Sequence, residues 1–196
     1  MPAGARGLTV AVLSIRLYPD PVLRARCPEV EVFDDALVAL ARDMVETMHQ
    51  APGIGLAAPQ VGIELRLAVV DLTVGEDPEQ ALTLVNPVVT AAEGLVVESE
   101  GCLSIPDFTD KVARPERIRV AARAVTGEPF EIEADELLAR AIQHEIDHLD
   151  GVLFVDRLRG LRRERAKRHL RRLVAEAQTT PALAAPSAPD PEIPPP

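Results

Sequence analysis

Two histidines four residues apart, His144 and His148, with Glu145 between them, constrain this chain more than any other feature. They sit in an apolar-periodic run, Leu137, Leu138, Ala141, Ile142, Ile146 and Leu149, whose spacing is that of a buried helix. Side chains at i and i+4 share a helix face, so both imidazoles can reach one metal ion. Glu145 lies about 100° round the helix from His144, close to such an ion without being required as a ligand. Two neutral nitrogens and a carboxylate beside a metal-bound water are what a hydrolytic metal site needs. A helix that merely exposes two histidines is the plainer reading. The chain has only 4 histidines, and two of them at this spacing around a glutamate weigh against it.

Such a helix needs a core to pack on, and 196 residues, 47% hydrophobic and 27% charged, suffice for one domain. The net charge of −10 excludes a protein that coats nucleic acid with its whole surface, while leaving room for a local basic patch. No apolar run is long enough to span a membrane. The segment Met1 to Gly7 leads into a strand-like stretch without the apolar core of a signal peptide. Cys27 and Cys102 make no disulfide framework, so a reducing cytoplasm is expected, where a lone cysteine is a candidate ligand or nucleophile.

Along the chain, Val10 to Leu17 reads as an edge strand and Tyr18-Pro19-Asp20-Pro21 as a turn. Asp34 or Asp35 caps a helix running to about His49, with Leu37, Leu40, Ala41, Met44, Val45 and Met48 on its inner face. Gly53 to Gly62 is a loop of small residues with Gln60 as its polar side chain; without a third glycine or a following helix it is no nucleotide loop. Strands are expected at Leu65 to Leu72, Leu82 to Val89, Gly94 to Ser99, Arg117 to Val125 and Pro129 to Glu133, then after the HE-x-x-H helix at Val152 to Val155. That helix starts at Ala134 or Asp135 and ends at Asp150-Gly151. The class is therefore α+β: antiparallel β-sheets packed around a central HE-x-x-H helix, with an N-terminal helix and a C-terminal helix. Residues 1–178 make one domain, and 179–196 a disordered Pro/Ala-rich tail.

The terminal helix, Leu161 to Ala177, has Leu161, Leu170, Leu173, Val174 and Ala177 as apolar positions. It carries Arg162, Arg163, Arg165, Lys167, Arg168, Arg171 and Arg172, preceded by Arg159, against Glu164 and Glu176. A charge run usually marks a solvated face; the alternative is a docking surface for something anionic.

A catalytic metal usually has three protein ligands and an open position. Downstream of the HE-x-x-H helix there is only His169, inside the basic helix, so the pattern of an endopeptidase is incomplete. A structural zinc would need a fourth ligand that is not evident, and would leave Glu145 unexplained. Upstream, Glu100-Gly101-Cys102-Leu103-Ser104 follows a strand, and the Cys102 thiolate would complete the site; Cys27, beside Pro28, lacks a supporting pattern.

Gly53-x-Gly55-Leu56-Ala57-Ala58-Pro59-Gln60, Glu100-Gly101-Cys102-Leu103-Ser104 and Gln143-His144-Glu145-x-Asp147-His148, in this order, resemble the three signature motifs of peptide deformylases. Tyr18 to Leu23 and Val152 to Arg157 are similar to that family as well, so the resemblance covers roughly 9 to 175. It implies a hydrolase that removes the formyl group from the N-formylmethionine of nascent polypeptides and releases formate. Metal-bound water attacks the formyl carbonyl, with Glu145 as general base and then acid, and Cys102, His144 and His148 as ligands. It implies Fe²⁺, one per chain, for which Zn²⁺, Ni²⁺ or Co²⁺ can substitute. Gln60 and the Leu103 N–H match the family's oxyanion donors. Ile54, Leu137 and Ala141 are expected around the methionine, Gly55 and Gly101 where backbone approaches substrate, and Arg114 toward the peptide's carboxyl side. Asp147 fits a structural ion pair or a place behind a ligand histidine, and Glu100 a structural role. Because such a substrate emerges from a ribosome, the basic helix over 160–177 is a candidate ribosome contact; nothing points to a membrane or to specific DNA.

Overall fold

The computed structural model describes residues 10–77 and 80–179. Of the expected Pro/Ala-rich tail over 179–196, Thr179 is helical and the rest lies outside the described residues, as does the Met1 to Gly7 segment. The first helix, α1 (Asp35–Gln50), starts where Asp34 turns extended and its carboxylate accepts the N–H of Leu37 at 3.0 Å. Leu37, Ala41, Met44 and Met48 recur at helical spacing and are buried. Thr47 joins them, its hydroxyl bonded to Asp43 O and to the N–H of Leu13.

Seven strands follow: β1 (Gly55–Ala57), β2 (Leu67–Val70), β3 (Leu82–Glu93), β4 (Val96–Cys102), β5 (Ile105–Arg114), β6 (Arg117–Arg123) and β7 (Pro129–Asp135). Five of them form an antiparallel sheet in the order β1-β2-β3-β6-β7, and β4 and β5 form a separate antiparallel ribbon. Helix α2 (Glu136–Leu149) follows β7 directly and packs against β1, β2, β6 and β7. β2 is an unbroken apolar run because it is covered on both faces. Leu67 and Val69 join the α1 side of the core, whereas Ala68 and Val70 face the side on which Leu149 and Ile142 of α2 lie. The HE-x-x-H helix is thus pressed onto the sheet by Ala139, Ala141 and Ile142 against Ile118 and Val120. A further cluster, with Leu23, Ile105, Val112, Phe154, Leu158, Ala166 and Leu173, ties the ribbon to α3 (Gly160–Thr179).

Five expectations change. Gly53 to Gly62 is not all loop: Gly55–Ala57 pairs with β2 as β1, and Ala58–Val61 is a 3-10 turn. Val10 to Leu17 is no strand: its N–H groups go singly to Asp43 Oδ1, Thr47 Oγ1 and Gln60 O, not to a ladder. Val152 to Val155 gives way to a 3-10 turn, Phe154–Arg157, because the Asp156 carboxylate captures the Leu153 N–H at 2.8 Å. β5 was not foreseen. Its inward positions Asp110, Val112 and Arg114 include two buried charges, which break the apolar alternation that marks a strand. Leu161 is 84% exposed, and Ala166 and Leu173 make the core contact of α3 instead. No helix among the described residues is long and apolar enough to cross a membrane.

Gly151 ends α2's turn at φ +72°, and a Cβ there would sit 2.5 Å from Arg24 O. Gly160 is also left-handed, at φ +56°, but a Cβ there would meet nothing within 4 Å. Gly160→Ala should therefore cost about 1–2 kcal/mol, the backbone penalty alone. Gly151→Ala should cost more, about 3 kcal/mol, because the carbonyl cannot retreat cheaply. Urea denaturation of the two variants measures the difference, and equal midpoints would refute the steric part.

Candidate metal centre and substrate pocket

His144 and His148 project from one face of α2 toward Cys102 at the end of β4, and the three candidate ligand atoms lie within 4.8 Å of one another. Cys102 Sγ is 3.2 Å from His148 Nε2, and the two imidazoles stand edge to face with centroids 5.0 Å apart. His144 is oriented from behind: its Nδ1 is 3.1 Å from Glu100 Oε2. Such an acceptor behind a ligand imidazole fixes its tautomer and orientation. Glu100, expected to be merely structural, therefore belongs to the site. The signal was available, since positions two apart on a strand share a face and Cys102 is the ligand.

Glu100 is held in turn. Arg114 donates to both its oxygens, through Nε at 2.5 Å and Nη2 at 2.8 Å, and Arg140 Nη1 reaches Oε1. Arg114 Nη1 also binds Asp147 at 2.9 Å, and Arg157 closes on the same carboxylate. Arg114 is 2% exposed and does not line the cavity. The expectation that it faces the peptide is corrected: both of its donor edges are taken up by buried carboxylates. Of the two roles left open for Asp147, the structure shows the ion pair. Arg140, one turn before His144, is likewise buried and neutralised by Glu100.

These neighbours set the protonation of the site. Burial raises the Glu100 carboxyl, but hydrogen bonds from Arg114 and His144 prevail and hold it down at about 2. Burial would lower His144, yet the Cys102 sulfur and Glu100 raise it to about 10. A cation would take the place of that proton, because a ligating imidazole is neutral. His148 is pushed well below its ordinary value, first by burial and then by His144. Burial raises Glu145 to about 7, against the pull of His144 and Arg114. Its Oε2 is a buried oxygen without a hydrogen-bond partner among the described residues.

Gln60 is 2% exposed, and its amide is oriented by the main chain. Oε1 accepts the Ala57 N–H at 2.9 Å, which turns Nε2 toward Ser104 Oγ at 3.2 Å and Cys102 Sγ at 3.6 Å. Gly55 is explained by the neighbour it faces: a Cβ there would overlap the Glu145 carboxylate. A cavity of about 480 Å³ opens in front of these groups. Ile54, Gly55, Gln60, Gly101, Leu103, Leu137, Ala141 and Glu145 line it, as do Cys102 and His144. Its far wall is Ile105 to Thr109 of β5, where no apolar pattern marks the sequence. Cys27 lies elsewhere in the core, its thiol raised to about 11 by burial.

The model of the family described as Polypeptide deformylase matches residues 12–164. A peptide deformylase of Acidobacterium capsulatum is 50% identical over 156 residues, 80% of this chain and 92% of that protein. One from Clostridium botulinum is 53% identical over 148 residues, 76% of this chain and 97% of the relative. The crystal structure of a peptide deformylase from Legionella pneumophila superimposes with a TM-score of 0.78 at 43% identity, covering 87% of this chain and 100% of that one.

Removing Arg114 would take three charged hydrogen bonds from two buried carboxylates, leaving Glu100 to Arg140 and His144 and Asp147 to Arg157. Arg114→Ala should lower the unfolding free energy by about 3–5 kcal/mol. Arg119→Ala, which breaks an exposed pair with Glu133, should leave the urea midpoint unchanged. Similar midpoints for the two variants would contradict the clamp.

Proposed function

This chain belongs to the polypeptide deformylase family of hydrolases, and we propose that it removes the N-formyl group from the N-formylmethionine of nascent polypeptides. The products are formate and a free amino terminus. The observation that carries the reading is the meeting of Cys102, His144 and His148, the first two of which line the cavity together with the Glu145 carboxylate. The donor set of one thiolate and two imidazoles suits a divalent transition metal, here Fe²⁺, one per chain, with Zn²⁺, Ni²⁺ or Co²⁺ able to substitute. When bound, the cation supplies a Lewis acid that brings the pKa of water toward about 7.

The chain's own groups do the rest. Glu145, its carboxyl raised to about 7, takes a proton from water and hands it to the leaving amine. Gly55 leaves that carboxylate its place. Gln60 Nε2, aimed by the Ala57 N–H, and the Leu103 N–H donate to the formyl oxygen as it gains charge. Ile54, Leu137 and Ala141 receive the methionine side chain, and Gly101 leaves the backbone open to the peptide. Glu100 keeps the His144 ring in register.

Formate release from a short formyl-Met peptide, with anaerobically purified protein, tests this. Glu145→Ala should lose about 10²- to 10⁴-fold in turnover while keeping its metal. Cys102→Ala should lose the metal itself. Comparison of Fe²⁺ and Zn²⁺ forms identifies the working ion. Turnover that survives Glu145→Ala would refute the base assignment.

We also propose that α3 docks on the ribosome, where the substrate emerges. Arg162 and Arg165 are engaged with Asp110, whereas Arg163, Arg168 and Arg171 are exposed and make no ion pair among the described residues. Replacing these three by alanine should weaken ribosome cosedimentation and flatten its salt dependence by about one unit of slope per lost phosphate contact, with small-peptide turnover unchanged. Unaltered cosedimentation would overturn the docking surface.

A further inference from the structure

The wall of the cavity formed by β5 lacks the support its strand should have. Ile105 pairs with Cys102 and Asp110 with Glu100, and the register shifts between them, so 106–109 have no partners on β4. Yet Pro106, Asp107, Phe108 and Thr109 all line the cavity. Asp107 is left-handed there, at φ +58°, a conformation that surrounding structure must hold.

The support comes from the terminal helix. His169 Nε2 is 2.9 Å from Pro106 O, and its ring stacks on Phe108 with centroids 5.0 Å apart at 29°. Arg172 Nη2 lies 3.4 Å from His169 Nδ1. An arginine can only donate, so Nδ1 is the acceptor and Nε2 carries the proton that goes to Pro106. Phe108 in turn leans on Phe154, whose ring lies 6.0 Å from that of His144. The other polar contacts of α3 with β5, Arg162 and Arg165 to Asp110 and Arg162 to Lys111 O, fall beyond the cavity.

We propose that His169 is a positioning residue for substrate binding. Its N–H replaces the missing ladder bond and its ring fixes Phe108, so that one helix outside the metal centre sets the shape of the peptide-binding wall. The inference rests on the reading of this cavity as the formyl-peptide site. It assigns a task to a histidine outside the ligand set, and it puts substrate affinity under the control of α3.

The test compares wild-type protein with His169→Ala, His169→Gln and His169→Phe in steady-state kinetics on a formyl-Met tripeptide, with metal content and Tm measured alongside. His169→Ala should raise KM about fivefold to tenfold, the effect of one lost hydrogen bond, with kcat within about twofold and metal content unchanged. His169→Gln, which keeps a donor at the same reach, should recover most of the KM, and His169→Phe should not. An unchanged KM in His169→Ala would overturn the proposal, as would parallel losses of kcat, metal and Tm in all three variants. Should His169→Ala fail to fold, the Gln and Phe variants must still differ in KM, and equal values overturn it. A wild-type protein that releases no formate would instead remove the reading of the cavity, and this role with it.

Discussion

Glu100 joins the β4–β5 ribbon to the central helix, and the site depends on that junction. Its carboxylate is 6% exposed, so each oxygen has to find a donor within the protein. Arg114 and Arg140 supply charge and His144 supplies a ring nitrogen. Because these partners come from β5 and from α2, satisfying one buried charge fixes how far apart the two elements stand. Cys102, two residues further along β4, is delivered to the histidines by the same constraint. Asp147 repeats the device one turn along α2, taking the remaining edge of Arg114 together with Arg157. Replacing such charges singly is costly because the partners stay buried.

What the sequence revealed and what it hid divide along this line. The capped α1 and the HE-x-x-H helix were legible because their buried faces are apolar at helical spacing and their ends carry Asp34 and Gly151. The ligand triad was legible because its residue types are rare in this chain. β5 was not, because its inward face reads Asp110, Val112, Arg114. Arg114 was placed on the substrate side for the same reason: nothing local distinguishes an arginine that meets a peptide from one that meets two buried carboxylates. Its partners are 14 and 33 residues away in sequence. Apolar character likewise put Leu161 inward, although α3 touches the core through Ala166, Leu170 and Leu173.

The terminal helix serves the fold with one side and leaves the other to solvent. Its inner side follows β5 in register, from Arg162 near Lys111 and Asp110 to His169 at Pro106. A charge run that looks uniform in sequence is thus divided by its surroundings into arginines spent on Asp110 and arginines open to other anions.

That division has an electrostatic corollary. The whole chain carries a net charge of −10, yet α3 is dominated by arginine and lysine, so the remainder of the molecule is more acidic than the total implies. Positive and negative charge are separated along one body, which gives it a permanent dipole moment. Near a polyanion such a body is turned before it touches, helix foremost, within the roughly 8 Å over which physiological salt lets the field act. The acidic remainder discourages every other approach, so a protein repelled by nucleic acid on average can still meet it in a single orientation.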